Sequence, residues 1–306
     1  MLSRVAETLY WMARHVERAE NIARLVNVNN LLLMDLPKGI SPGWEPLIHI
    51  IGSHENYLEH YADFSEKNVL TYMTIDKKNP SSLINALSAA RENTRTVREI
   101  VPREIWEGIN SLYLYVKDHN VELINKRHRF KHLRHVIDST LMIFGTLDAT
   151  INHDEGYTFI RFGSLLERAD MTTRIMDVRS ATMRDMPTDL PFENIQWISV
   201  LRSLSAYQMY RQQMGVRVRA EDILKFMLLS ESFPRAITFC LNELNSLVST
   251  LPNNTEILEH INHSIDDLHK QDINTLKGKV LHDYIDELQI DLADIHSELA
   301  KQYFLV

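Results

Sequence analysis

Along most of this chain apolar residues recur every three to four positions, while strand-like alternation bounded by turn residues is scarce. The pattern predicts helices over 3–34, 45–65, 81–100, 103–117, 121–147, 155–183, 193–215, 235–251 and 274–303, and therefore an all-α fold. Proline marks the joints. Pro37, Pro42 and Pro46 follow the first long helix, and Pro187 and Pro191 follow the sixth. Pro80, Pro102 and Pro234 stand where a helix can begin, a position at which a missing N–H costs little.

The two proline-rich breaks lie about 150 residues apart, the spacing an internal repeat would produce. The stretch from His15 to Val28 aligns with Leu165 to Val178, sharing Glu17/Glu167, Arg18/Arg168, Ala19/Ala169, Arg24/Arg174 and Val28/Val178, with Glu20 matched by Asp170. Trp44 pairs further on with Trp197, and Pro80 with Pro234. Three matches in the same order imply duplication. The expected architecture is one domain over 1–306, an internally duplicated helical bundle with pseudo-two-fold related halves at 1–150 and 151–306.

At about 100° per residue, Val5, Leu9, Met12, Ala13, Val16, Ala19 and Ala23 form a core-facing stripe on the first helix. Glu20 and Asn27 interrupt it, and Glu17 and Arg24 border it. The second copy repeats the design: Phe159, Phe162, Leu166 and Ala169 make the stripe, Asp170, Thr173 and Asp177 interrupt it, and Glu167 and Arg174 flank it. A carboxylate on a buried face costs several kcal/mol unless it is paired. Arg24 and Arg174 each follow an acid by four residues, one helical turn away. Two readings stand: buried ion pairs that fix how the copies dock, or a polar cavity whose acids contact a ligand, a metal or a proton. Arg18 and Arg168 point away from the stripe, toward solvent or a neighbouring helix.

Composition narrows the rest. The 306 residues carry a net charge of −8, with 44% hydrophobic and 24% charged, ordinary values for a globular chain. An acidic balance gives no reason to expect nucleic acid as a partner. No apolar run approaches the ~20 residues of a membrane span, and Arg4 and Glu7 replace a signal-peptide core. A cytoplasmic protein is expected. The single cysteine, Cys240, excludes an internal disulfide and sits in an apolar run that reads as buried.

Other candidates carry less. His128, His132 and His135 share a helix face, but among Lys126, Arg127, Arg129, Lys131 and Arg134 they read as a solvated basic face. His54, Glu55, Glu59 and His60 resemble part of a di-metal bundle without the paired Glu-x-x-His repeat. Arg91, Arg95 and Arg98 share a face suited to an anion, to the core carboxylates, or to exposed salt bridges. No nucleophile elbow or phosphate loop occurs. Neither cofactor nor metal is expected.

At these residues the sequence resembles the bacterial alpha-E family. The resemblance rests on Leu2-Ser3-Arg4, Leu9-Tyr10-Trp11, Glu17-Arg18-Ala19-Glu20-Asn21, Asn79-Pro80-Ser81-Ser82, Ala90-Arg91-Glu92-Asn93-Thr94-Arg95, Trp106 with Asn110, Leu166 to Arg174, and Phe233-Pro234-Arg235. Ser164 departs from the family pattern. The resemblance implies genes neighbouring, or fused to, a circularly permuted ATP-grasp ligase, often with a transglutaminase-like protease nearby. That context implies a part in making or modifying a peptide or amide-linked metabolite. Together with the lack of a nucleophile, phosphate-loop or metal motif, it leads to the expectation of an accessory or substrate-presenting partner of an ATP-grasp-type amide or peptide ligase. The alternatives are a stand-alone enzyme acting on amides or amino acids through the Glu/Asp–Arg cluster, and a scaffold.

Overall fold

The computed structural model describes residues 1–36, 42–184 and 193–304. Among them are fifteen α-helices, one 3-10 turn at Ile273–Thr275 and no strand, so the all-α expectation holds. In order the helices are α1 Ser3–Asp35, α2 Glu45–Ile50, α3 His54–Leu58, α4 Glu66–Thr74, α5 Leu83–Thr96, α6 Arg103–Asp118, α7 Asn120–Ile124 and α8 Arg129–Thr150. They continue as α9 Glu155–Arg184, α10 Glu193–Ser203, α11 Tyr207–Met214, α12 Ala220–Leu229, α13 Ile237–Val248, α14 Thr255–Lys270 and α15 Lys279–Tyr303. Pro37, Pro187 and Pro191 lie outside the described residues.

Several predicted helices are broken, each for a local reason. The 45–65 segment becomes α2 and α3 because Gly52 adopts φ +65°, a left-handed turn that glycine enters without steric cost. The 121–147 segment divides into α7 and α8 where Asn125 is extended and its Oδ1 accepts the Arg127 N–H at 2.9 Å. Ser205, at φ +54°, separates α10 from α11. Helices α4, α12 and α14 lie outside the predicted segments. Helix α4 is only nine residues long and opens on the polar Glu66-Lys67-Asn68, and α12 is short and mostly apolar, which hides the helical period in both. In α14 the stripe Ile257, Ile261, Ser264 and Leu268 is buried, but dense charge surrounds it.

The chain forms two compact units. The first holds Met1–Asn30 and Gly43–Glu167 with the C-terminal Tyr303 and Phe304; the second holds the end of α1 from Leu31 and Arg168–Gln302. In the first, α5 packs on α6 and α6 on α8; in the second, α13 packs on α14. Cys240 is buried, as expected, with its thiol 3.6 Å from the Pro234 carbonyl.

Helix α1 is the spine of the first unit. Between Val16 and Asn29 only Arg18 and Arg24 keep partial exposure. The opening of α9 runs beside it in the same direction. Gly156 meets Leu9, Gly163 meets the Tyr10 carbonyl, and Glu167 meets Arg14 and Arg18. A Cβ at Gly163 would lie 2.4 Å from the Tyr10 oxygen, so only glycine lets the two backbones come this close. Phe162 and Phe304 pack on the Tyr10 ring, at 6.4 and 5.3 Å between centroids.

Candidate functional site

One turn beyond the Gly163 crossing, the Glu167 carboxylate enters the interior at 1% exposure. Two arginines of α1 hold it. Arg14 Nε donates to Oε2 at 2.8 Å, while Arg18 donates twice, Nε to Oε1 at 2.6 Å and Nη2 to Oε2 at 2.9 Å. Such a fork is the strongest neutralisation a side chain offers a carboxylate. Burial pushes the Glu167 pKa up, but the combined attraction and hydrogen bonds of Arg14 and Arg18 prevail and bring it down to about 2. Arg18 of α1 thus meets Glu167 of α9, taking the neighbouring-helix option left open by the wheel.

Three more side chains complete the knot. Arg14 Nη1 donates to the Tyr10 hydroxyl at 2.9 Å, and burial raises that phenol to about 12. The Arg14 guanidinium also lies over the Trp11 ring, 5.2 Å from its centroid. His15 stacks on Trp11 at 5.7 Å, and its Nδ1 is buried without a hydrogen-bond partner. Burial, then the nearby Arg18 and Arg14 charges, lower His15 to about 4 despite Glu167, which acts the other way. At neutral pH the knot therefore holds two cations, one fixed anion, a neutral imidazole and a neutral phenol.

Two of the other motif acids, Glu20 and Asp170, each pair with an arginine one turn on. Glu17 and Glu20 are both buried, Glu17 more deeply than its border position on the wheel implies. Arg24 bonds Glu20 one turn back, through Nε at 3.1 Å and through Nη2. In the second unit Arg174 Nε reaches Asp170 Oδ1 at 2.9 Å and Oδ2 at 3.0 Å. There too Arg168 Nη1 lies 3.4 Å from the Pro234 carbonyl, and the Thr172 hydroxyl donates to the Arg235 carbonyl at 3.1 Å. Asp177 bonds His282 Nδ1 at 2.7 Å.

Arg91 and Arg95 stand apart from the knot. Arg91 Nε donates to Asn110 at 2.7 Å, with its guanidinium over Trp106 and Tyr113, and it shares Glu92 with Arg95. Of the readings for this face, salt bridging describes these two. The 126–135 stretch departs from expectation. Lys126, Arg127, His128, Lys131 and Arg134 are exposed, but His132 is buried and Arg129 is 1% exposed. Arg129 lies over Trp44 and bonds Glu66 and Asn30, a demand from the α4 and α1 neighbours that local sequence does not reveal.

Two groups among the described residues could take a metal ion, each offering three ligand atoms within 4.8 Å of one another. One is Glu45, His49 and His54; the other is Asp177, His282 and Asp286. Glu55, Glu59 and His60 are exposed and outside both, so the di-metal fragment does not assemble. No helix among the described residues is long and apolar enough to cross a membrane.

Tyr10, Trp11, Arg14 and His15 escaped the sequence reading as site residues. One signal was present. Arg14 and Arg18 are like charges at i,i+4, which destabilise a helix unless an anion lies between them.

Comparison with known proteins places these residues. Residues 1–304 match Alpha-E, described as a predicted alpha-helical domain with a conserved ER motif. Uncharacterized proteins Rv2567 of Mycobacterium tuberculosis and Mb2597 of Mycobacterium bovis are each 21% identical over 320 residues, covering 97% of this chain and 35% of theirs. The chain thus spans about a third of the length of the curated relatives it matches. No solved structure matches. The chain belongs to the Alpha-E family.

Proposed function

We propose that this Alpha-E domain is an accessory partner of an ATP-grasp-type amide or peptide ligase, holding the ligase or presenting its peptide substrate. In this reading the Glu–Arg knot is a structural anchor, not acid/base machinery. The observation that carries it is the geometry around Glu167, whose carboxylate is gripped by Arg14 and Arg18. A general acid or base works best with a pKa near the operating pH, whereas Glu167 sits at about 2, His15 at about 4 and Tyr10 at about 12. Every one lies far from neutrality, and both carboxylate oxygens are taken by guanidinium donors. The length of the relatives also supports a module working beside other sequence, since the matched region is only 35% of each.

The test is capture of the tagged chain from its own bacterium, with bound proteins identified by mass spectrometry. Near-stoichiometric recovery of an ATP-grasp ligase is expected. Turnover of an amide or amino-acid substrate by the purified chain with no ligase present would overturn the reading, as would capture that repeatedly lacks any ligase.

A further inference from the structure

The end of α5 opens on a groove of about 360 Å³ that the first turns of α1 close from the other side. Its size falls within the ~300–1,000 Å³ range of small-ligand pockets. Three guanidinium groups line it: Arg4 on α1, Arg95 on α5 and Arg98 just beyond. Arg95 shares Glu92. The side chains of Arg4 and Arg98 are exposed and make no hydrogen bond or ion pair among the described residues. Glu99 is the one carboxylate in the lining, so positive charge prevails.

The remaining lining selects among anions. Leu2 and Ile100 border the groove at 77% and 45% exposure, an apolar surface with nothing over it. The Thr8 and Thr96 hydroxyls line it too. Their protons are spent on backbone carbonyls, Arg4 at 2.6 Å and Glu92 at 3.0 Å, so toward a ligand they offer lone pairs. An inorganic phosphate would use the guanidinium groups and, through its P–OH, a hydroxyl oxygen, but not the apolar border. A peptide end uses all three features: its carboxylate meets the arginines, its amide N–H the hydroxyl oxygens, and an apolar last side chain Leu2 and Ile100. We propose that this groove binds the carboxylate terminus of a short peptide ending in an apolar residue. The site is separate from the Glu–Arg knot, and its test uses the chain without any ligase, so its failure leaves the partner reading standing.

The experiment is fluorescence anisotropy with the full chain and a fluorescein-labelled Gly-Gly-Ala-Leu probe, as the free acid and as the C-terminal amide. The acid should bind at least about tenfold more tightly than the amide, since blocking the carboxylate removes its charge-assisted bonds. Arg4→Ala combined with Arg98→Ala should weaken acid binding by a similar factor at an unchanged melting temperature, because both side chains are exposed. Replacing the terminal Leu by Gly should also weaken it. Equal binding of acid and amide overturns the proposal, and so does no binding at millimolar peptide. Displacement by phosphate with no response to the Leu-to-Gly change leaves a bare anion site and overturns the peptide assignment.

Discussion

At the residue scale the protein's most constrained group is the Glu167 carboxylate, and its surroundings make stability depend on acid. A carboxyl brought from an ordinary 4.5 down to about 2 contributes fully above pH 4.5 and loses that contribution as pH falls toward 2. His15 acts over a higher window. Held at about 4 against an ordinary 6.5, it stays neutral when folded while the unfolded chain takes up a proton, so stability falls between pH 6.5 and 4. Denaturant unfolding at a series of pH values should show both losses. His15→Gln should remove the upper one. Glu167→Gln should remove the lower one and cost about 3–5 kcal/mol at neutral pH, because two part-buried arginines lose their anion; an unchanged midpoint would show the pairing to be dispensable. The motif glutamates and arginines were legible from the sequence as a duplicated pattern. The depth of Glu17 was not, because a helical wheel assumes one core face and α1 is enclosed nearly all round. Arg129 was read as part of a solvated face for a similar reason, its partners Glu66 and Asn30 being far away in sequence.

At the element scale the knot depends on how closely α1 and α9 approach. Gly163 decides that distance. Gly163→Ala places a methyl group against the Tyr10 carbonyl, a backbone atom that cannot rotate away. The helices must then separate, at a cost of about 1–3 kcal/mol or more. The same shift lengthens the Arg14 and Arg18 bonds to Glu167, so the low-pH loss of stability should shrink as well. A melting temperature within a degree of the parent would contradict this crossing. Periodicity revealed the long helices, since α1, α6 and α9 start and stop close to where the pattern does. It failed at single residues that turn the backbone, such as Gly52, Asn125 and Ser205. Their neighbours on both sides are helical in pattern, and the break is a local event that periodicity averages away.

At the scale of the whole molecule, the first compact unit draws on more than the first 150 residues. Tyr10, Arg14 and Arg18 are completed by Phe162, Gly163 and Glu167 of α9 and by Phe304. A 1–150 fragment should therefore lack cooperative unfolding in calorimetry, and adding 151–306 as a separate chain should restore it; a sharp transition from the fragment alone would refute this dependence. The family signatures mark such structural junctions. Arg91 meets Asn110 and Trp106, and Arg168 and Thr172 meet the Phe233-Pro234-Arg235 turn. What the domain does beyond them turns on whether the knot carries protons. The most direct measurement is the carboxyl carbon shift of Glu167, followed by NMR from pH 8 to the acid limit of the fold. A fixed structural anion predicts no inflection above pH 4. An inflection between pH 5 and 8 would contradict the account and make Glu167 an acid/base group.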